Sequence, residues 1–525
     1  MSRQMSASAN FRRKNLHTEG ICRTFANVTL NLILSLKLSM KKLFLSAALL
    51  AAVLTCGAEN PKREFRGAWM HTVYQDQYHK QNTEQNKAYL RDQFDRLQAA
   101  GVNAVIFQVR PQADAFYPSE LEPWSRFLTD NGAAPVPAWD PLQFVIDEAH
   151  ARGMELHAWL NPYRVTTAKT QVLPKNHVYY QHPEWFVTYD DKMYFDPGLP
   201  ESREFITKVV MDIVNRYDVD GIHFDDYFYP YPVKGKEFPD AKSFAKYGDG
   251  MKRDDWRRHN VDLLIEGLHK EISSTKPWVI FGISPFGIWR NESSDPRGSK
   301  TNGLQNYDAL YADVLLWSRN GWIDYLLPQL YWELEHKSAS YLTLVDWWNR
   351  NAEGRNMYIG QDTGVTMRKP DVAPSKEATQ LRHKIDLTRE AENIQGNCWW
   401  PGYSITQNVS GIADSLAMDQ QATVALPPVY PWISDAAPAA PKSLALSGEK
   451  ITWQAPAQYG TADDAVKFVV YRFEEGDPID LQNTEAIDGI TWNTFWPATD
   501  PGVYVVTSLS RVNQESAPTS PVTVK

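Results

Sequence analysis

The sequence is poor in cysteine and has no excess of positive charge. Only three of its 525 residues are cysteines, Cys22, Cys56 and Cys398, and the first two lie in or before a predicted targeting segment. A mature chain with one thiol cannot form an internal disulfide framework. Acidic residues outnumber basic ones by 63 to 54, and the formal net charge is −9. A nucleic acid is therefore not expected as a partner, because phosphate contacts need clustered Lys and Arg.

Long hydrophobic runs are also missing. The apolar run from Leu43 to Leu54 covers about a dozen residues, fewer than a membrane-spanning helix needs. It follows the basic start Met40-Lys41-Lys42, and this order is typical of a secretory signal. We therefore predict a signal peptide over residues 40–58 and export to the periplasm or the cell surface. Residues 1–39 are then an extension from a start codon placed too early.

The end of this signal allows two cleavage sites. Val53-Leu54-Thr55-Cys56 resembles a lipobox, which would make Cys56 the site of a lipid anchor and the only attachment to a membrane. Thr55 departs from the Gly, Ala or Ser that usually precedes the cysteine. Cleavage after Ala58 is the alternative, and the residues alone leave both open.

Aromatic residues, in contrast, are abundant. The chain has 19 Trp and 25 Tyr, and many of them lie at predicted strand ends beside polar groups. Such residues can fill a core, but flat apolar faces rimmed by hydrogen-bonding groups also suit sugar rings. A length of 525 residues predicts two or three domains.

Strand and helix patterns alternate without interruption through the first large domain, residues 62–421. The predicted strands cover 65–70, 104–110, 155–160, the stretch around 222–225, 279–284, 325–331, 357–360 and 397–400. The predicted helices cover 86–100, 141–152, 201–217, 256–274, 307–320, 341–352 and 376–393. Eight predicted strands that alternate with seven predicted helices predict an α/β fold, a (β/α)₈ TIM barrel. A doubly wound open sheet is the alternative, but no Gly-rich phosphate loop follows the first strand.

The composition changes after Gln421. Residues 422–442 are rich in proline and predict a stiff linker. From Ser443 to Lys525 the helical periodicity ends and short strand patterns appear. This region resembles a fibronectin type III sandwich, a small all-β domain, with Trp453 as the core tryptophan and Tyr504 as the tyrosine-corner residue.

Paired carboxylates follow the fourth predicted strand. Ile222 and Phe224 alternate with His223 and Asp225 in the period-two pattern of a pleat, and Asp226 comes next. An apolar core would not accept a histidine and a carboxylate without partners. The pattern therefore indicates the edge of an active site. A capped strand end, in which the carboxylates bond loop amides, is the alternative.

Other strands carry polar and aromatic residues at the same end, where barrel enzymes have their active sites. The predicted substrate-binding residues are Arg110, His157, Asn161, Tyr163, His223, Trp289, Gln329, Tyr331, Trp332, Asp362 and Trp400. Any one of them could be a satisfied core or cap residue. Their accumulation at one end of the strands predicts a binding site.

Several ordered motifs resemble the glycosyl-hydrolase-like 10 family over about residues 62–400. The motifs are Arg66-Gly67-Ala68-Trp69, His157-Ala158-Trp159-Leu160-Asn161-Pro162-Tyr163-Arg164, Asp196-Pro197-Gly198, Asp220-Gly221-Ile222-His223-Phe224-Asp225-Asp226-Tyr227, Gly282-Ile283-Ser284-Pro285-Phe286-Gly287 and Pro328-Gln329-Leu330-Tyr331-Trp332. The resemblance implies a secreted or lipid-anchored bacterial hydrolase of glycosidic bonds. For such an envelope protein it implies a polysaccharide partner, with peptidoglycan glycan strands as the leading substrate class.

Asp225, Asp226 and Glu333 are the predicted catalytic residues. A glycosidase needs an acid for the leaving oxygen and a carboxylate that attacks, activates water or stabilises the oxocarbenium-like centre. Asp225 is the anchored carboxylate because its strand fixes it, and crowding with Asp226 would raise one pKa. Glu333, roughly 10 Å away across two strand spacings, is the other candidate acid. Retaining, inverting and acetamide-assisted mechanisms stay open, and no cofactor is expected.

Two other function classes are compatible with these residues. A metal-dependent hydrolase, such as a glycan deacetylase, could use His71, His157, His223 and Asp362 as ligands. The first strand lacks the His-x-His pair usual in such barrels. A barrel that binds glycans without cleaving them is the second alternative.

Overall fold

Residues 60–129 and 132–525 are described by the computed structural model. The predicted signal peptide, the extension 1–39, Cys22 and Cys56 lie outside the described residues. Asn60–Lys525 form one compact unit. In the described ranges no helix combines the length and the apolar character that a membrane span requires.

Strands and helices alternate along this unit. In chain order the strands are β1 (Phe65–Met70), β2 (Ala104–Arg110), β3 (Glu155–Leu160), β4 (Phe186–Tyr189), β5 (Lys192–Phe195), β6 (Gly221–Phe224), β7 (Ile280–Ile283), β8 (Tyr325–Leu326), β9 (Asn356–Met357), β10 (Ile359–Asp362), β11 (Gly396–Trp400), β12 (Lys442–Ser447), β13 (Lys450–Gln454), β14 (Ala465–Phe473), β15 (Ile487–Thr491), β16 (Phe495–Pro497), β17 (Gly502–Ser510) and β18 (Val522–Val524). The α-helices are α1 (Gln77–Lys80), α2 (Thr83–Ala99), α3 (Pro141–His150), α4 (Pro200–Arg216), α5 (Ala241–Tyr247), α6 (Arg253–Thr275), α7 (Asn306–Ala309), α8 (Val314–Arg319), α9 (Tyr341–Arg350), α10 (Thr363–Arg368), α11 (Leu381–Glu390), α12 (Tyr403–Thr406) and α13 (Ile412–Ser415).

The parallel strands close into a barrel. Their order is β10-β11-β1-β2-β3-β6-β7-β8-β9, and the two ends of this order, β9 and β10, are separated in the chain only by Tyr358. They are two halves of the seventh barrel strand, so the ring has eight strands. Neighbouring strands pair in parallel, with Phe65 opposite Gly396 and Gly67 opposite Ala104. The predicted TIM barrel is confirmed.

Alternate residues of each barrel strand face either the surrounding helices or the barrel interior. Ile222 and Phe224 of β6 are fully buried in the cluster that includes the helices. The barrel interior is aromatic: Phe65 stacks on Tyr358 at 4.0 Å between ring centroids, and both pack with Tyr325. Gly282 makes room for this filling, because a Cβ there would lie 1.9 Å from the Tyr325 ring.

Two elements are shorter than the sequence predicts. The strand expected over 325–331 ends at Leu326, and Pro328 two residues later has no N–H to donate to a ladder. Gln329 still forms isolated bridges to Phe286 and Gly360. The helix expected over 307–320 is divided into α7 and α8, and Tyr311 between them has a positive φ of 55° that a helix does not accommodate.

The C-terminal strands form two antiparallel sheets, of order β12-β13-β16 and β15-β14-β17-β18. The predicted small all-β domain is thereby confirmed as a fold class. Trp453 is buried and packs edge-on against Phe468 at 5.4 Å, and the Tyr504 hydroxyl donates to the carbonyl of Asp500 at 2.9 Å. The domain boundaries and the likeness to fibronectin type III domains remain predictions.

Residues 422–442, predicted as a linker, contact the barrel directly. Leu426 exchanges backbone hydrogen bonds with Lys62 and Glu64, just before β1. The hydroxyls of Tyr358 and Tyr430 lie 2.9 Å apart, and Trp432 donates to Asp324 at 2.8 Å. Lys62, Glu64 and Asp324 lie just before strand starts. Lys467 of the all-β domain pairs with Glu155, the first residue of β3, so this domain also packs at the N-terminal end of the barrel.

Candidate active site

Asp225 lies immediately after β6, at the C-terminal end of the barrel. Its side chain is buried, with 4% of the residue exposed. Oδ2 accepts hydrogen bonds from Trp159 Nε1, at 3.3 Å, and from the Asn161 amide. Oδ1 accepts from the backbone N–H of Tyr227 at 3.3 Å. All three partners are N–H groups that cannot accept a proton, so they favour the ionised carboxylate.

Asp226 is equally buried, with 1% exposed, but its partners are of a different kind. Oδ1 accepts from Gln329 Nε2 at 3.2 Å, and Oδ2 is hydrogen-bonded to the hydroxyl of Tyr231. A hydroxyl can donate to a carboxylate or accept from a carboxylic acid. Asp226 can therefore hold a proton without losing its hydrogen bond to Tyr231.

The two carboxyl groups share one electrostatic environment. Burial raises the pKa of Asp225 to about 7, Arg164 opposes this rise and the charge of Asp226 adds to it. Burial also raises the pKa of Asp226, while hydrogen bonds from Tyr231 and Gln329 and the charge of Arg164 oppose the rise. Two adjacent buried carboxyls resist joint ionisation, so the pair retains one proton near neutral pH.

The amide of Asn161 is oriented by its neighbours. Its Oδ1 accepts from Gln108 Nε2 at 3.0 Å and from the guanidinium of Arg164. With the oxygen engaged on that side, the Nδ2 group points at Asp225. Arg164 also lies 4.8 Å from the ring centre of Tyr227. The guanidinium thus connects the Asp225 side of the site to the aromatic loop that follows Asp226.

His223 is a neutral residue of the barrel interior and does not line an open cleft. Its Nε2 accepts from Trp69 Nε1 at 3.2 Å, and an indole N–H can only donate. The imidazole proton therefore resides on Nδ1, which lies 2.8 Å from the Tyr325 hydroxyl. Burial lowers the pKa of His223 well below its ordinary value, in agreement with a neutral imidazole.

Four other predicted binding residues, Arg110, His157, Asn161 and Tyr163, are also fully enclosed. Arg110 pairs with Glu122, at 2.7 Å from Nε to Oε2, and both side chains are 1% exposed. His157 and Tyr163 are 0% exposed. The Arg110 guanidinium also donates to the carbonyls of Asn161 and Pro162, so it holds the backbone that carries Asn161.

Glu333 and Asp362 lie on the loops after β8 and at the end of β10. Glu333 is 39% exposed along its side chain and forms an ion pair with Lys369 at 3.0 Å. Asp362 accepts from the backbone N–H of Val365 at 2.6 Å and caps α10. Among the described residues, no hydrogen bond joins either one to Asp225 or Asp226.

The predicted aromatic residues divide into two groups. Tyr331, Trp332 and Trp400 are half-buried, and Trp400 packs edge-on against Trp159 at 6.1 Å. Lys384 holds the backbone of Trp332 in place, because its Nζ donates to the Trp332 carbonyl at 2.9 Å. Trp289 differs: it is 3% exposed and belongs to the main hydrophobic core. It therefore presents no free ring face to a ligand.

Trp159, which has the inward parity of β3, and Arg164, just beyond that strand, are expected near the site from the sequence, and they contact Asp225 and Asn161. Tyr231, which contacts Asp226, was not among the predicted site residues. Tyr231 lies five residues beyond Asp226 in an irregular loop, where strand periodicity gives no information about direction.

The metal ligands that a metal-dependent hydrolase would need are not grouped together in the described part of the chain. Across residues 60–129 and 132–525, no group of three or more His, Cys, Asp or Glu side chains is arranged to hold a metal ion. His157 and His223 both bond to the Tyr325 hydroxyl. That shared partner places their Nδ1 atoms inside the barrel.

Comparison with known proteins gives the family. A family model described as Glycosyl hydrolase-like 10 matches residues 64–379. The chain belongs to this family. Glycosyl hydrolase YngK of Bacillus subtilis (strain 168) is 38% identical over 473 residues, which cover 86% of this chain and 92% of that protein. Glycosyl hydrolase DigH of Escherichia coli (strain K12) is 40% identical over 322 residues, covering 58% and 73%.

The resemblance seen in the sequence motifs is thereby confirmed for the barrel. The family match contains Asp225, Asp226 and Glu333, and it ends before β11. Among solved structures, the glycoside hydrolase domain of PgaB (BpsB) from Bordetella bronchiseptica has a TM-score of 0.46 at 13% identity, and the alignment covers 67% of this chain and 98% of that domain.

Proposed function

We propose that this chain is a glycosidase that cleaves O-glycosidic bonds in a bacterial polysaccharide, with peptidoglycan glycan strands as its substrate. The observation that supports this proposal most directly is the carboxyl pair, in which Asp225 has only N–H partners and Asp226 has a hydroxyl partner. The family and the printed names of its curated relatives support hydrolysis of glycosidic bonds. The peptidoglycan substrate rests on the resemblance and on the predicted export.

The pair separates the two roles that the reaction needs. Asp225 is held as the carboxylate by Trp159, Asn161 and the Tyr227 amide, and it stabilises positive charge at the sugar or orients a substrate acetamide. Asp226 carries the shared proton and gives it to the leaving oxygen as the glycosidic C–O bond breaks. Water, directly or after the substrate acetamide, then bonds to the sugar carbon, and its proton returns to the carboxyl pair. Proton loss from Asp226 leaves a carboxylate that Gln329 and Tyr231 stabilise by hydrogen bonds.

Three aromatic side chains supply the proposed binding surface for sugar rings. Trp332, Tyr331 and Trp400 are half-buried residues at the C-terminal end of the barrel. Sugar rings stack on such side chains through their apolar faces. Glu333, on the same loop, lies next to Trp332 and is proposed to contact substrate hydroxyls or to act as a second acid.

The decisive assay uses purified protein, peptidoglycan sacculi and defined glycan chains. New reducing ends are expected from the wild-type chain and not from Asp225→Asn. Release of acetate without new reducing ends would identify a deacetylase instead, and its loss on treatment with a chelator would show that it needs a metal. Binding to the glycan without any product would identify a non-catalytic barrel and would overturn the proposal.

Export is part of the same proposal. We propose that the mature chain begins near Cys56 or Glu59 and resides in the periplasm or at the cell surface. The mass of the N-terminal peptide from the native host distinguishes the possibilities. Diacylglycerol on Cys56 supports an anchor, a start at Glu59 supports release, and retention of residues 1–39 contradicts export by this signal.

A further inference from the structure

A column of buried polar side chains runs through the barrel interior below the carboxyl pair. It begins at Trp69, which donates to His223, and His223 Nδ1 lies 2.8 Å from the Tyr325 hydroxyl. Tyr325 in turn lies 3.0 Å from His157 Nδ1. Since His223 must donate to Tyr325, the hydroxyl proton is free to point at His157. All four side chains are at most 2% exposed.

The column ends on a residue of the all-β domain. With Nδ1 accepting, His157 carries its proton on Nε2, which lies 3.5 Å from Glu155 Oε2, close enough for electrostatic attraction but outside hydrogen-bond geometry. Glu155 Oε1 accepts from Lys467 Nζ at 2.7 Å and from Asn513 Nδ2 at 3.0 Å. Burial raises the pKa of Glu155, but the charge of Lys467 and the contact with His157 bring it well below its ordinary value. Lys467 thus keeps Glu155 ionised.

The upper end of the column reaches the carboxyl pair. His223 Nε2 lies 3.1 Å from Ser284 Oγ. The carbonyl of Ser284 accepts from Gln329 Nε2 at 3.0 Å, and the same Nε2 donates to Asp226 Oδ1 at 3.2 Å. His223 is therefore linked to Asp226 through two residues, Ser284 and Gln329.

We infer that Lys467 of the all-β domain is a positioning residue for the active site, acting through the column formed by Glu155, His157, Tyr325 and His223. Its ammonium fixes a carboxylate at the base of the barrel that attracts the Nε2 proton of His157, while Trp69 at the other end of the column holds the proton of His223 on Nδ1. The domain at the closed end of the barrel thereby holds the geometry at the open end. The activity part of this inference rests on the proposed function.

Removing the ammonium has a specific consequence. Glu155 would lose its cation in a dry environment and take up a proton, since an unpaired buried charge is costly. A protonated Glu155 no longer needs the Nε2 proton of His157. The hydrogen bonds of His157, Tyr325 and His223 can then reverse, and a proton on His223 Nε2 would face the indole N–H of Trp69. Two donors repel each other, so Trp69 and Ser284 would shift.

The kinetic test compares Lys467→Met with Lys62→Met in the full chain. Lys62 also pairs across the two domains, at 2.7 Å from Glu515, but it has no contact with the column. We expect Lys467→Met to lower kcat by about 10- to 100-fold, the scale for displacement of catalytic groups by a remote change, with KM nearly unchanged. Lys62→Met should keep the wild-type kcat. Lys467→Arg, which restores the charge, should recover most of it.

A second measurement does not depend on activity. NMR of isotope-labelled histidine reports which ring nitrogen carries the proton, and we expect the signals of His157 and His223 to change in Lys467→Met but not in Lys62→Met. If Lys467→Met fails to fold, Lys467→Met/Glu155→Gln removes both charges and is measured in its place. Unchanged histidine signals overturn the inference even if kcat falls. Changed signals with wild-type kcat also overturn it, whereas absence of activity in every form refutes the proposed function alone.

Discussion

Trp159 donates its indole N–H to Asp225 across 3.3 Å, and with Asn161 it fills Oδ2 of that carboxylate. Both donors come from β3 or its end, the strand next to β6. This arrangement explains how a carboxylate can be buried at a barrel opening without a cation in direct contact. Oδ1 also accepts from the backbone N–H of Tyr227, the contact that a strand cap would make, so activity measurements on variants must distinguish a cap from a catalytic carboxylate.

Asp225→Asn should fold and lose activity. Loss of one positioned acid or base costs about 10² to 10⁴-fold in turnover. Burial and mutual repulsion raise the pKa of both carboxyls, so ionisation of the second one opposes folding as the pH rises towards 7 and above. Asp225→Asn removes this repulsion, so the fall in the free energy of unfolding between pH 5 and pH 8 should be smaller than in the wild type, by on the order of 1–3 kcal/mol. The amide NH2 group faces N–H donors and should lower the free energy of unfolding equally at both pH values.

Denaturant unfolding at pH 5 and pH 8 and glycan hydrolysis check both parts of this expectation. Asp226→Asn, run beside it, should lose activity as well, since it removes the proton donor. Full turnover by folded Asp225→Asn would exclude the mechanism proposed here. Lower stability with normal activity would show that Asp225 is only a strand cap.

Trp332→Ala and Trp289→Ala should have opposite effects. Trp332 is half-buried beside the site, so its removal should weaken glycan binding by on the order of 1–3 kcal/mol with little change in stability. Trp289 is buried in the core, so its removal should lower the free energy of unfolding by about 3–5 kcal/mol. Calorimetric titration with glycan and thermal unfolding measure the two effects. Equal loss of affinity in the folded proteins would place Trp289 at the site.

The sequence shows which residues are polar but not always which way they face. The eight strand patterns and the Asp225-Asp226 step are local signals, and local periodicity is sufficient to find them. Trp289 follows β7 as a predicted rim residue, yet its partner is Trp347, whose ring is stacked on it at 5.7 Å. That partner belongs to α9, and no spacing rule connects the two positions.

Arg110 and Lys467 also show that the sequence does not reveal which partner a charged residue has in the folded chain. Arg110 has the inward parity of a binding residue, but Glu122 in the following loop neutralises it inside the protein. Lys467 pairs with Glu155 across 312 positions of the chain. A composition rich in proline suggested an independent linker between these regions, whereas the contacts of Tyr430 and Trp432 bring the two domains together. Long-range pairing of this kind is fixed by tertiary packing.

Arg110→Met should destabilise the barrel by about 3–5 kcal/mol, because it leaves the charge of Glu122 buried and unpaired. Arg110→Met/Glu122→Gln removes both charges and should recover much of that loss. Urea unfolding of the three proteins measures the difference. A fall in glycan affinity with unchanged stability would instead assign Arg110 to substrate binding, as its sequence position predicted.

A chain that ends at Gln421 should be less stable than the full chain. The cut removes Tyr430 from Tyr358 and Lys467 from Glu155, and it uncovers the aromatic interior of the barrel. The sequence alone predicts that residues 443–525 can be removed without loss of the barrel. Thermal unfolding and size-exclusion chromatography decide between these expectations. A soluble barrel with the same melting temperature would show that the contacts contribute little.

Arg164 should set the pH dependence of the reaction. Its charge lowers the pKa of both Asp225 and Asp226. In the proposed mechanism, activity requires the pair to keep one proton. Removing that charge raises both pKa values, so the proton is retained to higher pH. In Arg164→Gln the alkaline limb of kcat/KM should therefore move upward by ~1 pH unit, the lower end of the effect of a nearby opposite charge.

Arg164→Lys is the matched control for charge. It keeps the cation and loses the planar contacts with Asn161 and Tyr227, so its limb should stay near that of the wild type while kcat falls. The measurement is a pH profile of kcat/KM for the three proteins on one glycan substrate. A downward shift in Arg164→Gln would contradict the shared proton. Equal shifts in both variants would mean that Arg164 acts through geometry, and that its charge does not control the carboxyl pair.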